Sequence, residues 1–355
     1  MTERERTRRA TRTDVARLAG TSVAVVSYVV NGGPRPVAAT TRARVLEAID
    51  AVGYQPNTIA RALASGVTSL YGLILPSISN PFFAALAHEL EDAIAATGKI
   101  LLLGDSSGSK EREAELVGVL ARRRTDGVFF IGVDDSPDLD ALAGTPTVLL
   151  DRYSPAKAGQ YSVTIDNDEA AHAATRHLIE HGYTRLAIIA GPPDLAVSRA
   201  RLDGWRRALH DAGITPDERW VVAAPFSAGG GFEAGRTLVT SGAPPRAVFA
   251  SSEQQSLGLL AAAAEAGLRV PEDLAIMSFD GTEASEYAVP RISGIVQRLP
   301  DIAAAAVETL EALCARREPP ARHVTTGYEL RIRHSCGPHE TPTHPDREAI
   351  PCRRR

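Results

Sequence analysis

One short pattern in the sequence is of a kind that could do catalytic chemistry. Residues 104–108 read Gly-Asp-Ser-Ser-Gly, which matches the G-x-S-x-G turn that exposes a nucleophilic serine between a strand and a helix. The helix after such a serine is normally buried, whereas the residues that begin here at Lys110 are charged and should face solvent. We therefore interpret Ser109 as the N-cap of an ordinary surface helix and predict no catalytic residue.

Three histidines could bind a metal. His172, His177 and His181 share one stretch of helical periodicity, and the last two have the i,i+4 spacing that places two imidazoles on one face. Leu178 and Ile179 supply the apolar side of the same stretch. No third ligand is evident in the sequence, so we expect a solvated face and no metal. A G-x-G-x-x-G turn after a strand is missing as well, so no cofactor is expected.

The elements that would position functional residues alternate regularly from position 70 onward. Short apolar runs without clean alternation are typical of strands buried on both faces, and amphipathic helical stretches separate them. The runs are 70–76, 99–105, 127–133, 147–151, 162–167, 185–191, 247–252 and 274–281. This order predicts doubly wound parallel sheets, and so many units favour two α/β lobes.

Composition excludes several classes of protein. The 355 residues are 44% hydrophobic and 23% charged, which excludes a disordered, collagenous or disulfide-framework chain. No apolar run approaches a membrane span, and the charged first dozen residues do not form a secretory signal. The three cysteines (Cys314, Cys336 and Cys352) are few and odd in number. We therefore expect a cytoplasmic protein without membrane contact.

Charge is distributed unevenly along the chain. Residues 1–66 hold ten arginines and five acidic residues, so their net charge is +5. Because the net charge of the whole chain is −4, the remaining residues carry a net charge of −9. A basic head on an acidic body indicates a nucleic-acid partner or an anionic surface. A merely solvated arginine-rich terminus is the alternative.

The basic region reads as three short helices without a strand. Thr13 is expected to cap the first helix, a glycine-bearing turn leads into the second, and Gly53 ends the third. The expected helices span residues 14–19, 23–30 and 40–52. Two helices joined by a tight turn, with a third that completes a small core, are a helix-turn-helix arrangement.

Two long segments carry a distinctive pattern. They are TDVARLAGTSVAVVSYVVNGG (13–33) and TRARVLEAIDAVGYQPNTIARALAS (41–65), and SISNPFF, SRARLDGW, LRVPEDLAIMSFDG and GYELRIR follow later. Together these segments resemble the LacI/GalR (lac-repressor-type) family of bacterial transcription regulators over roughly residues 12–334. The resemblance implies a small all-α helix-turn-helix head that reads operator DNA. It also implies a two-lobed, periplasmic-binding-protein-like α/β core that holds a small effector.

The resemblance and the composition divide the chain into five parts. A tail without periodicity is expected to be disordered. The parts are a basic arm (1–12), a DNA-binding head (13–56), a hinge helix (57–66), an effector-binding and dimerisation core (67–334) and the tail (335–355).

The resemblance implies which head residues face DNA. They are Thr13, Ser22, Val23, Ala24, Val25, Ser27, Tyr28 and Asn31. The family usually has Thr at position 25 and Arg at position 28, so this chain lacks the arginine that contacts guanine in two places. We therefore expect an operator that differs from the usual one. Tyr28 as a helix-packing aromatic is the alternative.

The hinge supplies two further expected DNA contacts, Asn57 and Leu63. So short a segment would become helical only when paired with its symmetry mate in the minor groove, where Leu63 would act as an apolar wedge. A flexible linker with one exposed leucine is the alternative.

The resemblance places six residues around the effector. They are Phe83, Asp151, Arg201, Phe226, Ser252 and Asp280. Two carboxylates with an arginine suit paired hydrogen bonds to vicinal hydroxyls. The alternatives are a loop cap for Asp151, pairing with Asp203 for Arg201, and a core position for Phe83.

One departure bears on the ligand. This chain has Ser252-Glu253 where the family commonly has Asn-Asp. A saccharide effector is expected, with a nucleobase or another metabolite as alternatives.

These observations predict a non-enzymatic repressor. It would bind a palindromic operator in double-stranded DNA as a homodimer under the control of an effector, and a tail without leucine heptads argues against a tetramer. A cytoplasmic solute-binding protein with the same core fold is the alternative, and an α/β enzyme is a third possibility without a catalytic constellation.

Overall fold

The computed structural model describes residues 10–31, 35–55, 66–151 and 160–337. The chain divides into two compact units, Met1–Thr68 and Ser69–Arg355. We call the described part of the first unit the head and that of the second unit the core.

The head has three helices: α1 (Arg12–Leu18), α2 (Val23–Asn31) and α3 (Ala39–Val52). The axes of α1 and α2 are bent by 106° at the turn between them, where Gly20 has a φ of +59°. This bend is the geometry of a helix-turn-helix pair. The helices enclose a small apolar core made of Val15, Ala16, Ala19, Val26, Val29, Val45, Ala48 and Tyr54.

The predicted cap of the first helix is wrong. Thr11 and not Thr13 is the N-cap, because the Thr11 hydroxyl accepts from the Asp14 backbone N–H while the Asp14 carboxylate accepts from the Thr11 N–H. This reciprocal capping box satisfies two free donors and begins the helix at Arg12. Thr13 lies exposed within the first turn.

The core has two α/β lobes, which confirms the predicted fold class. The first lobe contains β1 (Leu70–Leu75), α4 (Pro81–Ala95), β2 (Ile100–Asp105), α5 (Lys110–Arg123), β3 (Gly127–Phe130), β4 (Thr147–Leu150) and β5 (Tyr161–Ile165). The second contains α6 (Asn167–Glu180), β6 (Leu186–Ala190), α7 (Ala196–Asp211), β7 (Val221–Ala223), α8 (Ala228–Val239), β8 (Ala247–Ala250), α9 (Glu253–Glu265), β9 (Ala275–Ser278), α10 (Glu283–Tyr287) and β10 (Ser293–Gln297).

Three more elements follow: the helix α11 (Leu299–Cys314) and the strands β11 (His323–Thr326) and β12 (Tyr328–Arg331), each of which forms one edge of a sheet. The first sheet has the order β11-β5-β4-β3-β1-β2 and is parallel throughout. The second has the order β12-β10-β9-β8-β6-β7, and only β12 runs antiparallel to its neighbour.

The chain crosses between the lobes three times. It crosses after β5, again between β10 and α11, which packs on the first lobe, and last between β11 and β12, where Gly327 is the only intervening residue. These crossings place the carboxyl ends of both sheets at one cleft, which is where ligands bind in open α/β sheets.

The expected start of the tail is wrong by at least two residues. Ser335 and Cys336 are fully buried, because the Ser335 hydroxyl donates to the Ile276 carbonyl and accepts from the Ser293 backbone N–H. These bonds attach the segment after β12 to β9 and β10. Residues 338–355 lie outside the described residues.

None of the described helices is by itself long and apolar enough to cross a membrane. The bent pair α1 and α2 reaches that length and composition only when the two are taken together.

Candidate functional site

Helix α2 presents its first turn to solvent. Ser22, Val23 and Ala24 are exposed, whereas Val26 and Val29 on the opposite side belong to the head core. The Ser22 hydroxyl accepts from the Val25 backbone N–H at 3.3 Å and so caps the helix. Free N–H groups at such a terminus favour an anion such as a phosphate.

The structure describes the positions of only some of the other expected DNA contacts. Val25, Ser27 and Tyr28 are half-buried on α2. Asn31 ends α2, but its side chain lies outside the described residues, as do Asn57 and Leu63 of the hinge. The structure therefore brings the expected contacts of α2 to one helix and leaves the hinge residues undescribed.

A cavity of about 970 Å³ lies between the two lobes of the core. It is lined by all six residues that sequence comparison with the family placed around an effector: Phe83, Asp151, Arg201, Phe226, Ser252 and Asp280. A volume of this size suits a small organic ligand.

Arg201 is the centre of the polar side of this cavity. Its guanidinium donates to the Asn167 side-chain oxygen at 2.9 Å and to the Ser251 carbonyl at 2.6 Å. It lies over the Phe279 ring at 3.7 Å from the centroid and 3.8 Å from the Asp280 carboxylate. Burial lowers the pKa of the Arg201 guanidinium, and the nearby carboxylates of Asp280 and Asp151 partly offset this change by raising it. The alternative pairing with Asp203 is not adopted, because these bonds orient the guanidinium toward the cavity.

Two aspartates approach the cavity from opposite lobes at the ends of strands. Asp151 follows β4 with a φ of +59°, and Asp280 follows β9 with a φ of +84°. Non-glycine residues adopt such angles at a cost, and sites where they persist are often functional. Burial raises the pKa of Asp280 to about 6, against the attraction of Arg201.

The aromatic residues flank the polar group. Phe83 on α4 is 7% exposed, so it belongs to the core of the first lobe and also lines the cavity. Phe226 approaches from the second lobe, and its ring centroid lies 5.7 Å from the Arg201 guanidinium carbon.

Ser252 and Glu253 have different tasks. The Ser252 hydroxyl caps α9 by accepting from the Gln255 N–H and lines the cavity. The Glu253 carboxylate is buried and accepts from the Thr282 hydroxyl and from the Ser285 hydroxyl and N–H. Glu253 therefore joins α9 to the start of α10.

Several polar residues at the cavity were missed in the sequence. They are Asn80, Asp105, Lys110, Asp134 and Gln254. Asp105 ends β2, so its position at the carboxyl end of a buried strand was a usable signal. The others lie on loops and at helix starts, where the pattern of apolar residues carries no information about neighbours.

Asp135, in the loop after β3, connects the two lobes beside the cavity. Its carboxylate accepts from the Ala196 backbone N–H at 2.8 Å and from Arg199 at 2.9 Å. The N-cap of α7, Leu195, has no side-chain cap of its own. A residue of the first lobe therefore caps a helix of the second.

The serine pattern at 104–108 is structural, as predicted. Ser106 is fully buried and donates to the Leu75 carbonyl, while Ser109 caps α5 by accepting from the Arg112 N–H at 3.2 Å. Neither serine has the exposed geometry of a nucleophile.

Two family models match the chain. The one described as bacterial regulatory proteins, lacI family, matches residues 11–57, and the one described as periplasmic binding protein-like domain matches residues 175–336. Catabolite control protein A of Priestia megaterium is 33% identical over 325 residues, which are 91% of this chain and 98% of the relative. The HTH-type transcriptional repressor PurR of Vibrio atlanticus is 33% identical over 293 residues, 81% of this chain and 87% of the relative.

Solved structures resemble most of the chain. The lac repressor dimer bound to operator and the anti-inducer ONPF has a TM-score of 0.84 at 25% identity and covers 93% of this chain and 99% of its own. The complex of the transcriptional regulator CelR with cellobiose has a TM-score of 0.70 at 30% identity and covers 92% and 100%.

Proposed function

Because the chain belongs to the lacI family of bacterial regulatory proteins, which are DNA-binding transcription regulators and not enzymes, we propose how it regulates. It represses transcription as a homodimer on a palindromic operator, in the cytoplasm where the chromosome lies. A small effector in the cavity of the core controls it. The observation that carries the proposal is one chain with both a helix-turn-helix head and a cavity built around a buried arginine.

The exposed first turn of α2 supports operator reading. Val23 and Ala24 offer only apolar contacts, such as one to a thymine methyl, and Tyr28 replaces the arginine that would pair with guanine. The operator contacted by this helix is therefore poorer in guanine-specific contacts than is usual in the family.

A second copy of the chain completes the reading head, because one short helix contacts too few bases for specificity. Apolar side chains exposed on the surface of the core unit support a homodimer. Ile100 and Leu103 on the edge strand β2 are 63% and 46% exposed. Tyr287, the last residue of α10, and Val289, just after that helix, are 75% and 88% exposed. Edge strands that remain uncovered normally carry charges instead.

The cavity chemistry favours a saccharide. Asp151 and Asp280 accept from hydroxyls, Arg201 donates, and Phe83 and Phe226 provide flat apolar walls. This combination fits a ring with hydroxyls on its rim and an apolar face. The cellobiose complex of CelR, which resembles this chain, agrees with that class.

The effector acts by preferring one arrangement of the lobes. A ligand that contacts both lobes shifts the equilibrium toward the closed form, and this form biases the heads toward or away from the operator. The six expected effector residues come from both lobes, so a ligand bound among them would contact both lobes at once.

The experiment is a selection of fragments of the source genome on the full-length protein, with two controls. One control chain starts at Gly66, and the other carries Val23→Glu, which places a negative charge on the exposed turn of α2. We expect an inverted repeat with the unchanged protein alone. Equal recovery by all three proteins would contradict operator reading by the head.

The recovered operator then tests the effector. Binding is measured with mono- and disaccharides and with nucleobases, on the unchanged protein and on Arg201→Met. We expect a saccharide to change operator affinity about 5- to 150-fold. Arg201→Met should bind the operator but not respond. A response to a nucleobase alone would replace the saccharide, and a response retained by Arg201→Met would remove Arg201 from the effector site.

A further inference from the structure

Three side chains that can bind a metal meet outside the cavity. His177 lies in the last turn of α6, His181 caps the end of that helix, and Cys336 follows β12. The possible ligand atoms of these residues all lie within 4.8 Å of one another. The two histidines are half-buried and the cysteine is buried.

The fold holds the three residues in place. The imidazole rings of His177 and His181 have centroids 4.7 Å apart and planes inclined by 73°. The Cys336 thiol donates to the Ser293 hydroxyl at 3.0 Å. Gly337 has a φ of +135°, and a side chain there would meet the His181 ring at 3.2 Å, so the backbone of this segment lies close against the histidine.

We propose that His177, His181 and Cys336 form a zinc site, with water in the fourth position. Two imidazoles and a thiolate are the donor set that Zn²⁺ prefers, whereas Mg²⁺ and Ca²⁺ require oxygen ligands. Zinc bonds of about 2.0 Å to nitrogen and 2.3 Å to sulfur need ligand atoms roughly 3.5 Å apart. The present separations are all within 4.8 Å, so the ligand atoms would have to approach one another by at most about 1.3 Å. On binding, the thiol releases its proton to water and the sulfur bonds to the metal.

The sequence alone favoured a solvated histidine face because no third ligand lay nearby. Cys336 is more than 150 residues away along the chain, and only the docking of the segment after β12 against α6 and β10 brings it to the histidines. The proposal therefore rests on tertiary structure and replaces that expectation.

Zinc at this position would join the C-terminal segment to α6. The opposite end of the same helix begins with Asn167, whose side chain accepts from Arg201 in the cavity. Metal binding would thus stabilise the helix that orients the central arginine. The site itself does not depend on operator binding or on the class of effector.

The test is a Co²⁺ titration of the full-length protein, purified without a polyhistidine tag and kept reduced by a reagent that contains no thiol. Co²⁺ occupies zinc sites and reports a thiolate ligand by a charge-transfer absorption. We expect one Co²⁺ per chain with this band, and displacement by Zn²⁺. Cys336→Ser should lose the band. His181→Ala should weaken binding by more than about 100-fold, since even loss of outer-shell partners costs about 10- to 100-fold.

Matched controls separate this site from other ligands. Cys314→Ser and Cys352→Ser should keep the band, and His88→Ala should bind Co²⁺ unchanged, although His88 belongs to an exposed cluster with Glu91 and Asp92. Circular dichroism of each metal-free variant verifies folding. His181→Ala, changed at a half-buried residue, keeps the test valid where Cys336→Ser unfolds. The proposal is overturned by an unchanged protein without the band, or by a band that survives Cys336→Ser.

Discussion

Asp280 is a carboxyl group that is both buried and close to a buried arginine. It is 7% exposed, and among the described residues its side chain meets the Arg201 guanidinium at 3.8 Å and accepts from the Gln297 side chain at 3.0 Å. Burial therefore outweighs attraction and raises the pKa of Asp280 to about 6. A ligand hydroxyl that donates to this carboxylate would add a hydrogen bond that stabilises its ionised form.

This raised pKa predicts how stability varies with pH. A carboxyl group with a folded-state pKa near 6 and an ordinary value of 3.8 contributes its full stability below pH 3.8 and loses it as pH rises through 6. The free energy of unfolding, relative to that of Asp280→Asn, should therefore fall by about 3 kcal/mol at most between pH 4 and pH 7. Urea unfolding followed by tryptophan fluorescence measures the difference.

The control for this measurement is Asp203→Asn, which changes an exposed aspartate on the same helix as Arg201. Asp280→Asn has no group that titrates at this position, so its curve supplies the pH dependence of the rest of the protein. A difference curve that stays flat, or that rises with pH, would contradict the raised pKa.

At the scale of elements, the first turn of α7 depends on the opposite lobe. The Asp135 carboxylate satisfies the Ala196 N–H, which the helix itself leaves without a side-chain cap. Loss of a cap costs about 0.5–2 kcal/mol, so Asp135→Ala should speed hydrogen exchange of amides 196–199 by about 2- to 30-fold. Exchange mass spectrometry measures it.

Asp194→Ala serves as the control, because this exposed aspartate lies just before the same helix without capping it. If both variants exchange equally fast, the bond across the lobes does not hold the helix start. Because opening of the lobes would break the same bond, effector binding should slow exchange at these amides in the unchanged protein.

The elements also show what a sequence can predict. All eight apolar runs became strands. Seven of them are largely buried, and burial on both faces leaves a continuous apolar run, whereas β2 is an edge strand whose Ile100 and Leu103 are exposed. The strands β7, β11 and β12 were missed, since they are short and partly exposed. The strand β10 is mostly buried but was missed because only two of its five residues, Ile295 and Val296, are apolar. Family resemblance located the six cavity residues, but the partners of Arg201 and the approach of Cys336 to His181 arise from packing between distant segments.

At the scale of the whole molecule, the proposed homodimer would decide how tightly the operator is bound. Two heads on one palindrome act together only when the cores associate, and such linkage raises affinity by about 10²- to 10⁴-fold over one head. Ile100 lies on the edge strand of the first sheet and is 63% exposed, and the proposed dimer would bury it. Ile100→Glu places a charge there and should give a monomer, measured by sedimentation equilibrium, with operator affinity lowered by more than about 100-fold.

The matched control is Ile332→Glu, since Ile332 is also an exposed isoleucine but follows β12 at the far edge of the second sheet. It should stay dimeric and keep its operator affinity. A monomeric Ile100→Glu protein with unchanged affinity would mean that one head suffices for the operator. A dimeric Ile100→Glu protein would instead move the interface away from β2, toward the exposed pair Tyr287 and Val289.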